Sequence, residues 1–369
     1  MKNSNSPFII LPKKPFFNIN IKDVFILDIG TNSIKIYSKN KDTIIKEASL
    51  LVSKAHSNKV LAFGNAGKTI YNKLPKDYVC SMPIQNGKVQ DVRVATLLLK
   101  YTLNLATSKW NLSKGTCYCI INNNVSAKDR ETINAILKNL KIGKTIFINS
   151  TDLYALTLTN NEENKERIFL LAKLGAGYSE ISIIKNGVAV ASKELSFTGR
   201  NLDLQIINYI STNFNMFIGE FEAQRIKEEI IKEIKEKTKE IIKEKKEEET
   251  FEVYGKDLIT SYHKKFTLST TDIHLALRES IENFASEIIS FLINQDDKLK
   301  CELQTSLNTL YLVGGTSKLT NLSKALEEIL EIQVIKSDKG NEEISSLINL
   351  KNILHDKELV KTLASKNAS

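Results

Sequence analysis

Apolar and polar positions along this chain switch between two periods. Short strand-like runs recur from Val24 onward, at 25–27, 34–37, 116–121, 145–148, 168–171, 181–184 and 309–313. Helical spacing of apolar residues fills 92–105, 127–140 and 202–214, and a further helix begins at Leu322. Strands that alternate with helices predict α/β layers. Glycine turns punctuate the pattern at two distant places. Asp28-Ile29-Gly30-Thr31-Asn32-Ser33 and Leu174-Gly175-Ala176-Gly177-Tyr178-Ser179-Glu180 each lie between two strand runs, so each reads as a strand–turn–strand hairpin.

A single glycine turn carries little information, because glycine stands wherever the backbone needs positive φ. The chemistry around the pair carries more. Gly30, Thr31, Asn32 and Ser33 can aim backbone N–H groups and hydroxyls at a phosphate, and Gly175, Ala176, Gly177 and Tyr178 repeat the plan. Such a duplication points to a nucleotide clamped between two domains. A third glycine pair, Gly314-Gly315, follows the 309–313 strand and opens a helix, which allows close backbone approach to a ligand.

Two segments depart from this rhythm. Residues 220–249 are nearly all Glu, Lys and Ile, with Ile226, Ile230, Ile234, Ile241 and Ile242 close to one helical face. Glu-before-Lys pairs support a solvated helix, and a partner-binding or coiled-coil segment is the alternative. Residues 1–20 hold three of the five prolines and mix Phe8, Ile9, Ile10, Leu11, Phe16 and Phe17 with Lys13 and Lys14. That composition suits either a membrane-interface arm or a strand packed on the first domain. Trp110, beside Lys109 and Leu112, is a second membrane candidate, weighed against a place in the core.

Composition narrows the classes. The 369 residues suffice for two or more domains. No apolar stretch approaches the roughly 20 residues that a bilayer-spanning helix needs. Four cysteines without metal-ligand spacing read as buried free thiols in a reducing compartment, and four scattered histidines suggest no metal cluster. The net charge of +9 comes from lysines interleaved with glutamates, which argues against nucleic acid and leaves an anionic lipid surface open.

The three glycine motifs in this order, with a helical insertion between the second and third, resemble the actin superfamily, and in detail its bacterial MreB-like members. Asp28-Ile-Gly-Thr-Asn-Ser resembles the first phosphate loop and Val60-Leu-Ala-Phe-Gly64 the edge of the small subdomain. Met82-Pro83-Ile84 with Gly87, Val89 and Asp91 resembles the link that follows. Phe214 to Glu220, then Ala223-Gln-Arg-Ile-Lys227, resembles the helix that reaches the nucleotide sugar, and Val253 to Thr260 the strand region after it. Leu312-Val-Gly-Gly-Thr-Ser-Lys-Leu319 resembles the adenosine loop.

That resemblance implies an actin-like ATPase fold of two lobes, each an RNase H-like mixed sheet with flanking helices, in four subdomains. Their expected bounds are 21–48, 91–165 and 340–369 for IA; 49–90 for IB; 166–200 and 268–339 for IIA; and 201–267 for IIB. It implies ATP or ADP with Mg²⁺ in the cleft. Gly30, Thr31, Asn32 and Ser33 would contact the phosphates from one side, and Gly175, Ala176, Gly177 and Tyr178 from the other. Gly314, Gly315 and Thr316 would flank the adenine, and Glu220 and Lys227 would approach the ribose. Asp28 would be a catalytic residue holding Mg²⁺ through water. Family members assemble with themselves into filaments on the cytoplasmic face of the inner membrane, with other cytoskeletal proteins as possible partners, and support cell shape or motility. The alternatives are a sugar or small-molecule kinase of the superfamily and an FtsA-like membrane adaptor.

Two positions break the pattern. The aspartate expected at the start of the second phosphate loop is Lys173, and the expected hydrolytic glutamate is Ser150, with Thr151 in place of a proline. Serine is a poor general base, and loss of a positioned acid or base forfeits about 10²–10⁴-fold in rate. At ~5 Å and an effective dielectric of ~20, an ammonium repels a divalent cation by roughly 6–7 kcal/mol. Mg²⁺ would therefore have to move or leave; the milder alternative is that Lys173 swings into solvent, or pairs with a phosphate oxygen and substitutes for the metal's charge. Nucleotide binding with weak or absent hydrolysis is the expectation. A vacant cleft retained as packing between lobes is the bland counterpart.

Overall fold

Period-two alternation decides which way each central strand faces. In β1 (Val24–Ile29), Phe25, Leu27 and Ile29 enter one apolar cluster, while Ile26 enters another on the opposite side of the sheet. Both faces are covered, so β1 reads as a nearly continuous apolar run. The computed structural model describes residues 23–365 except 58, 72–75, 108–114, 161–167, 238–249 and 338–342, and gives the backbone alone for 230–237.

The first lobe continues with β2 (Ser33–Ser38), β3 (Thr43–Ala48), β4 (Leu51–Lys54), β5 (Val60–Phe63), α1 (Gly64–Ile70), β6 (Tyr78–Ser81), β7 (Ile84–Gln85) and β8 (Lys88–Val89). After these come α2 (Val92–Ala106), β9 (Thr116–Ile121), α3 (Ala127–Asn139), β10 (Lys144–Asn149) and α4 (Ser150–Thr159). The second lobe begins with β11 (Ile168–Leu174), β12 (Ser179–Lys185), β13 (Val188–Leu195), α5 (Gly199–Phe214), β14 (Met216–Phe217) and α6 (Glu220–Lys237). It is completed by β15 (Thr250–Asp257), β16 (His263–Ser269), α7 (Thr270–Ile293), α8 (Asp297–Ser306), β17 (Thr309–Val313), α9 (Leu322–Leu330) and β18 (Gln333–Lys336). Helices α10 (Ser345–Ile353) and α11 (Lys357–Ser365) return to the first lobe, against β1 and β10.

The two large sheets have the same plan. Their orders are β3-β2-β1-β9-β10 and β13-β12-β11-β17-β18. In each, three strands form an antiparallel meander and two more join in parallel. The glycine hairpins are β1–β2 and β11–β12, at the centre of each sheet. Parallel pairing requires a crossover, supplied by α3 between β9 and β10 and by α9 between β17 and β18. Smaller three-stranded sheets, β5-β4-β6 and β14-β15-β16, extend the two lobes.

Helix α4 joins the lobes. Leu153 packs with Ile26, Ile148 and Leu347 on the first-lobe side. Tyr154, Ala155 and Leu158 pack with Phe169, Leu171, Ile184 and Val313 of the second sheet. A helix apolar on both sides is a buried helix, and this one has its first residues, Ser150 and Thr151, at the inter-lobe cleft. The charged run begins as α6, and its residues 238–249 lie outside the described residues, as do the 1–20 tail and Trp110.

Cys117 and Cys119 are buried in β9, and burial pushes the Cys117 thiol up to about 12 and the Cys119 thiol well above its ordinary value. Cys80 is half-buried. Cys301 is exposed on α8, so the expectation of buried thiols fails there. In α11, Val360 and Leu363 are buried against the first lobe.

Leu153→Ala would open a cavity where α4 meets the first lobe. The expected loss is about 2–5 kcal/mol, read as a lowered denaturant midpoint.

Candidate functional site

Each hairpin turn closes in the same way. The Gly30 N–H donates to the Ser33 carbonyl at 3.1 Å, and the Gly175 N–H donates to the Tyr178 carbonyl at 3.1 Å. A Cβ on Gly30 would stand 2.7 Å from that carbonyl oxygen, and one on Gly175 would collide with its counterpart. Glycine is thus required by the closeness of the returning chain. The third turn works through conformation as well: Gly314 has φ +89°, and a Cβ there would meet the Leu174 carbonyl at 2.5 Å.

Counterpart positions on the two hairpins carry opposite charges in opposite order. Two residues before the first glycine and five after it are cross-strand partners: Asp28 with Lys35 on one hairpin, Lys173 with Glu180 on the other. Lys35 Nζ lies 2.9 Å from Asp28 Oδ2, which also accepts from the Ser346 hydroxyl at 3.0 Å. Lys173 is 8 % exposed and donates to Ser150 Oγ at 2.5 Å and Asn122 Oδ1 at 3.0 Å, both from the first lobe. Its ammonium also sits 5.1 Å from the Tyr178 ring centroid. Burial lowers the Lys173 pKa, opposed by the carboxylates of Glu180 and Asp28. Glu180 is 1 % exposed and accepts hydrogen bonds from Thr151 and Tyr178. Burial, reinforced by Glu180, holds the Tyr178 hydroxyl well above its ordinary pKa.

The loops surround a cavity of about 350 Å³, within the range of small-molecule sites, about 300–1,000 Å³. Asp28, Gly30, Thr31, Asn32, Ser33, Ser150, Lys173, Gly175, Ala176, Tyr178, Glu220, Lys227, Gly314, Gly315 and Thr316 all line it. Gly177 does not. It packs against Thr31 of the opposite loop, where a Cβ would lie 2.6 Å from the Thr31 hydroxyl, so it sets how closely the loops approach. Further contacts cross the cleft: Gln224 Nε2 donates to Asn32 Oδ1 at 3.2 Å, and the Tyr71 and Phe221 rings meet edge-on at 4.4 Å. Glu343 pairs with Lys318 at 2.9 Å and with Lys46. On the second-lobe wall, Lys227 pairs with Asp203 at 2.6 Å and donates to the Gly199 carbonyl at 2.6 Å.

The MreB/Mbl protein family model matches residues 22–353. The chain belongs to the MreB/Mbl family. Among its curated relatives, the cell shape-determining protein Mbl of Bacillus subtilis is 23% identical over 312 residues, covering 85% of this chain and 90% of Mbl. The cell shape-determining protein MreB of Escherichia coli K12 is 24% identical over 318 residues, 85% of this chain and 88% of MreB. Two solved structures of MreB5 from Spiroplasma citri share the fold. The one bound to AMPPNP has a TM-score of 0.80 at 20% identity, covering 94% of this chain and 99% of that one. The one bound to ADP has a TM-score of 0.77 at 20% identity, covering 90% and 96%. The actin-like two-lobed architecture expected from the MreB resemblance is therefore the fold of this chain.

Within this MreB fold, Lys173 points inward and spans the lobes, so the expectation of a solvent-facing side chain does not hold. Several residues of the site went unassigned in the sequence. Lys35 and Glu180 were detectable as lone charges within buried strands, each a fixed step beyond its glycine turn. Gln224 lay inside the 223–227 motif without a role of its own, and Asn122, Asp203, Glu343 and Ser346 had no such signal, because each reaches the cavity from a segment remote in sequence. The residues present do not fit Mg²⁺, a hard ion that takes oxygen ligands. Lys35 and Ser346 engage Asp28, Lys173 occupies its counterpart position, and among the described residues no group of three or more His, Cys, Asp or Glu could hold a metal.

Burial raises the Asp203 pKa to about 6 from 3.8, against the opposing pull of Lys227. A carboxyl with a raised folded-state pKa contributes its stability below the unfolded value and loses it as pH rises through the folded one. The protein should therefore lose about 2–3 kcal/mol between pH 4 and 6 relative to Asp203→Asn, since each pKa unit is worth about 1.36 kcal/mol. Denaturant midpoints of the two proteins across that range check the sign.

Proposed function

We propose that this chain is an MreB-like cytoskeletal protein that binds ATP or ADP between its lobes and assembles into filaments. The observation that carries the reading is the pair of identically closed glycine turns facing one cavity, with the third glycine turn on its wall. The nucleotide-bound state of both MreB5 neighbours supports it. Backbone N–H groups from the Gly30 and Gly175 loops would meet the phosphates, Gly314 to Thr316 the base, and Glu220 and Lys227 the sugar. Cross-cleft contacts such as Gln224–Asn32 and Tyr71–Phe221 form only when the lobes are close. Nucleotide that favours closure would shift the population toward one lobe arrangement and so present a fixed surface for subunit stacking.

Self-association has a candidate surface in the β15–β16 hairpin. Leu258, Ile259 and Tyr262 at its tip are 50%, 79% and 78% exposed, and clustered exposed apolar groups mark interaction sites. Attachment to the cytoplasmic face of an anionic membrane, through the 1–20 tail, belongs to the same reading. No helix among the described residues is long and apolar enough to cross a membrane.

Hydrolysis is weak or absent in this proposal. Ser150 has no basic function to offer, and its hydroxyl accepts from Lys173. Three of the nearby carboxylates are engaged too: Asp28 by Lys35, Glu180 by Thr151 and Tyr178, and Asp203 by Lys227.

ADP at about 100 times its dissociation constant should stabilise the protein by ~2.7 kcal/mol, seen as a thermal shift, and the protein should sediment as filaments in electron micrographs of the pellet. Ile259→Asp with Tyr262→Ser should abolish pelleting while leaving the thermal shift intact. No thermal shift with ADP or ATP defeats the nucleotide reading, and an unpelletable wild-type protein defeats the filament reading. At saturating ATP, phosphate release should be slower by about 10²–10⁴-fold than in a relative that has the glutamate, and turnover at the relative's rate would overturn this part.

A further inference from the structure

The two hairpins place an ammonium at the cavity from each lobe, and each ammonium is fixed by its own surroundings. Lys173 is held by Asn122 and Ser150 across the cleft and by the Tyr178 ring, with the charge of Glu180 on the adjacent strand nearby. Lys35 is held by Asp28, with its Nζ 3.9 Å from where a Cβ of Gly30 would stand, directly beside the first glycine turn. Both side chains line the cavity. The carboxylates of the same hairpins already accept internal hydrogen bonds. Asp28 Oδ2 accepts from Lys35 and Ser346, and the two oxygens of Glu180 accept from Thr151 and Tyr178.

We infer that this site takes its nucleotide without a divalent metal, the Lys173 and Lys35 ammoniums meeting the phosphate oxygens from opposite lobes. The inference rests on the nucleotide reading above. Mg²⁺ needs a near-octahedral set of oxygens and is bound by carboxylates together with substrate phosphates. Here both hairpin carboxylates have internal donors, and a buried ammonium stands where a ligand would be needed. Repulsion between that ammonium and a divalent ion is weakly screened, because Lys173 is away from bulk solvent and salt. The same ammonium is matched to a phosphate. An N–H donor on a charged group makes a charge-assisted bond to an anionic oxygen, about twice as strong as a neutral one. Of the three N–H donors on Lys173, two go to Asn122 and Ser150 among the described residues, and an ammonium has a third to offer.

Calorimetric titration of the full chain with ADP and with AMPPNP, each in EDTA and in excess Mg²⁺, tests this. The expected result is affinities that agree within about threefold in the two media, a difference under 1 kcal/mol. A loss of more than threefold in EDTA overturns the inference and leaves the nucleotide reading standing. Absence of binding in both media overturns both. Lys173→Asp should convert the site, so that Mg²⁺ raises affinity about tenfold or more. The near-isosteric Lys173→Met should weaken binding about ten- to a hundredfold in either medium, the worth of one bond to a charged group. Equal binding by Lys173→Met and wild type would also overturn it.

Discussion

A carbonyl oxygen returning within hydrogen-bonding distance of a glycine nitrogen is the constraint on which this molecule turns. At Gly30 and again at Gly175 the closure leaves no volume for a Cβ. The chain must therefore reverse sharply at the end of a central strand, with its next residues facing the space between lobes. Because both turns sit at the same place in sheets of the same order, the loops oppose each other once the lobes pack. Gly177 against Thr31 then sets their separation. Helix α4 keeps this relation in register, since its two sides belong to the cores of different lobes.

Charge at the floor of the cleft follows from the same duplication. Cross-strand pairing puts a carboxylate opposite an ammonium on each hairpin, but with the order exchanged. The exchange converts a floor that would present two acids into one with an acid and a base facing each other across the lobes. Lys173 then bonds to first-lobe groups, so it acts as a clasp between lobes. A buried ammonium of this kind is tolerable because polar oxygens and a ring face surround it and two carboxylates stand near. The consequence is chemical. Asp28 Oδ2 and both Glu180 oxygens are used in holding side chains, which leaves fewer acceptors on the two hairpins for activating water or holding a metal.

Much of the architecture was legible from the residue pattern. Periods of two and 3.6 gave β9, β17 and the starts of α2 and α3 with little error, because each of these elements buries one clear face or lies fully inside. The glycine turns were legible because their chemistry is local: strand, reversal and returning strand fall within a dozen residues. The substitutions at Ser150 and Lys173 were legible too, as departures from a family pattern.

What those residues do was decided by tertiary structure alone. A lysine at position 173 is compatible in sequence with solvent, phosphate or an ion pair. Its actual partners, Asn122 and Ser150, come from β9's end and α4's start, and only the packing of one lobe on the other brings them within reach. The same holds for Ser346 at Asp28 and for Gln224 at Asn32, contacts that span 318 and 192 positions along the chain. The sequence by itself determined the strands, helices and turns, because those depend on neighbours a few residues away. The identity of each charge's partner was left to the fold, because a hydrogen bond depends on distance in space, and distance across the cleft is set by cores that no local pattern encodes.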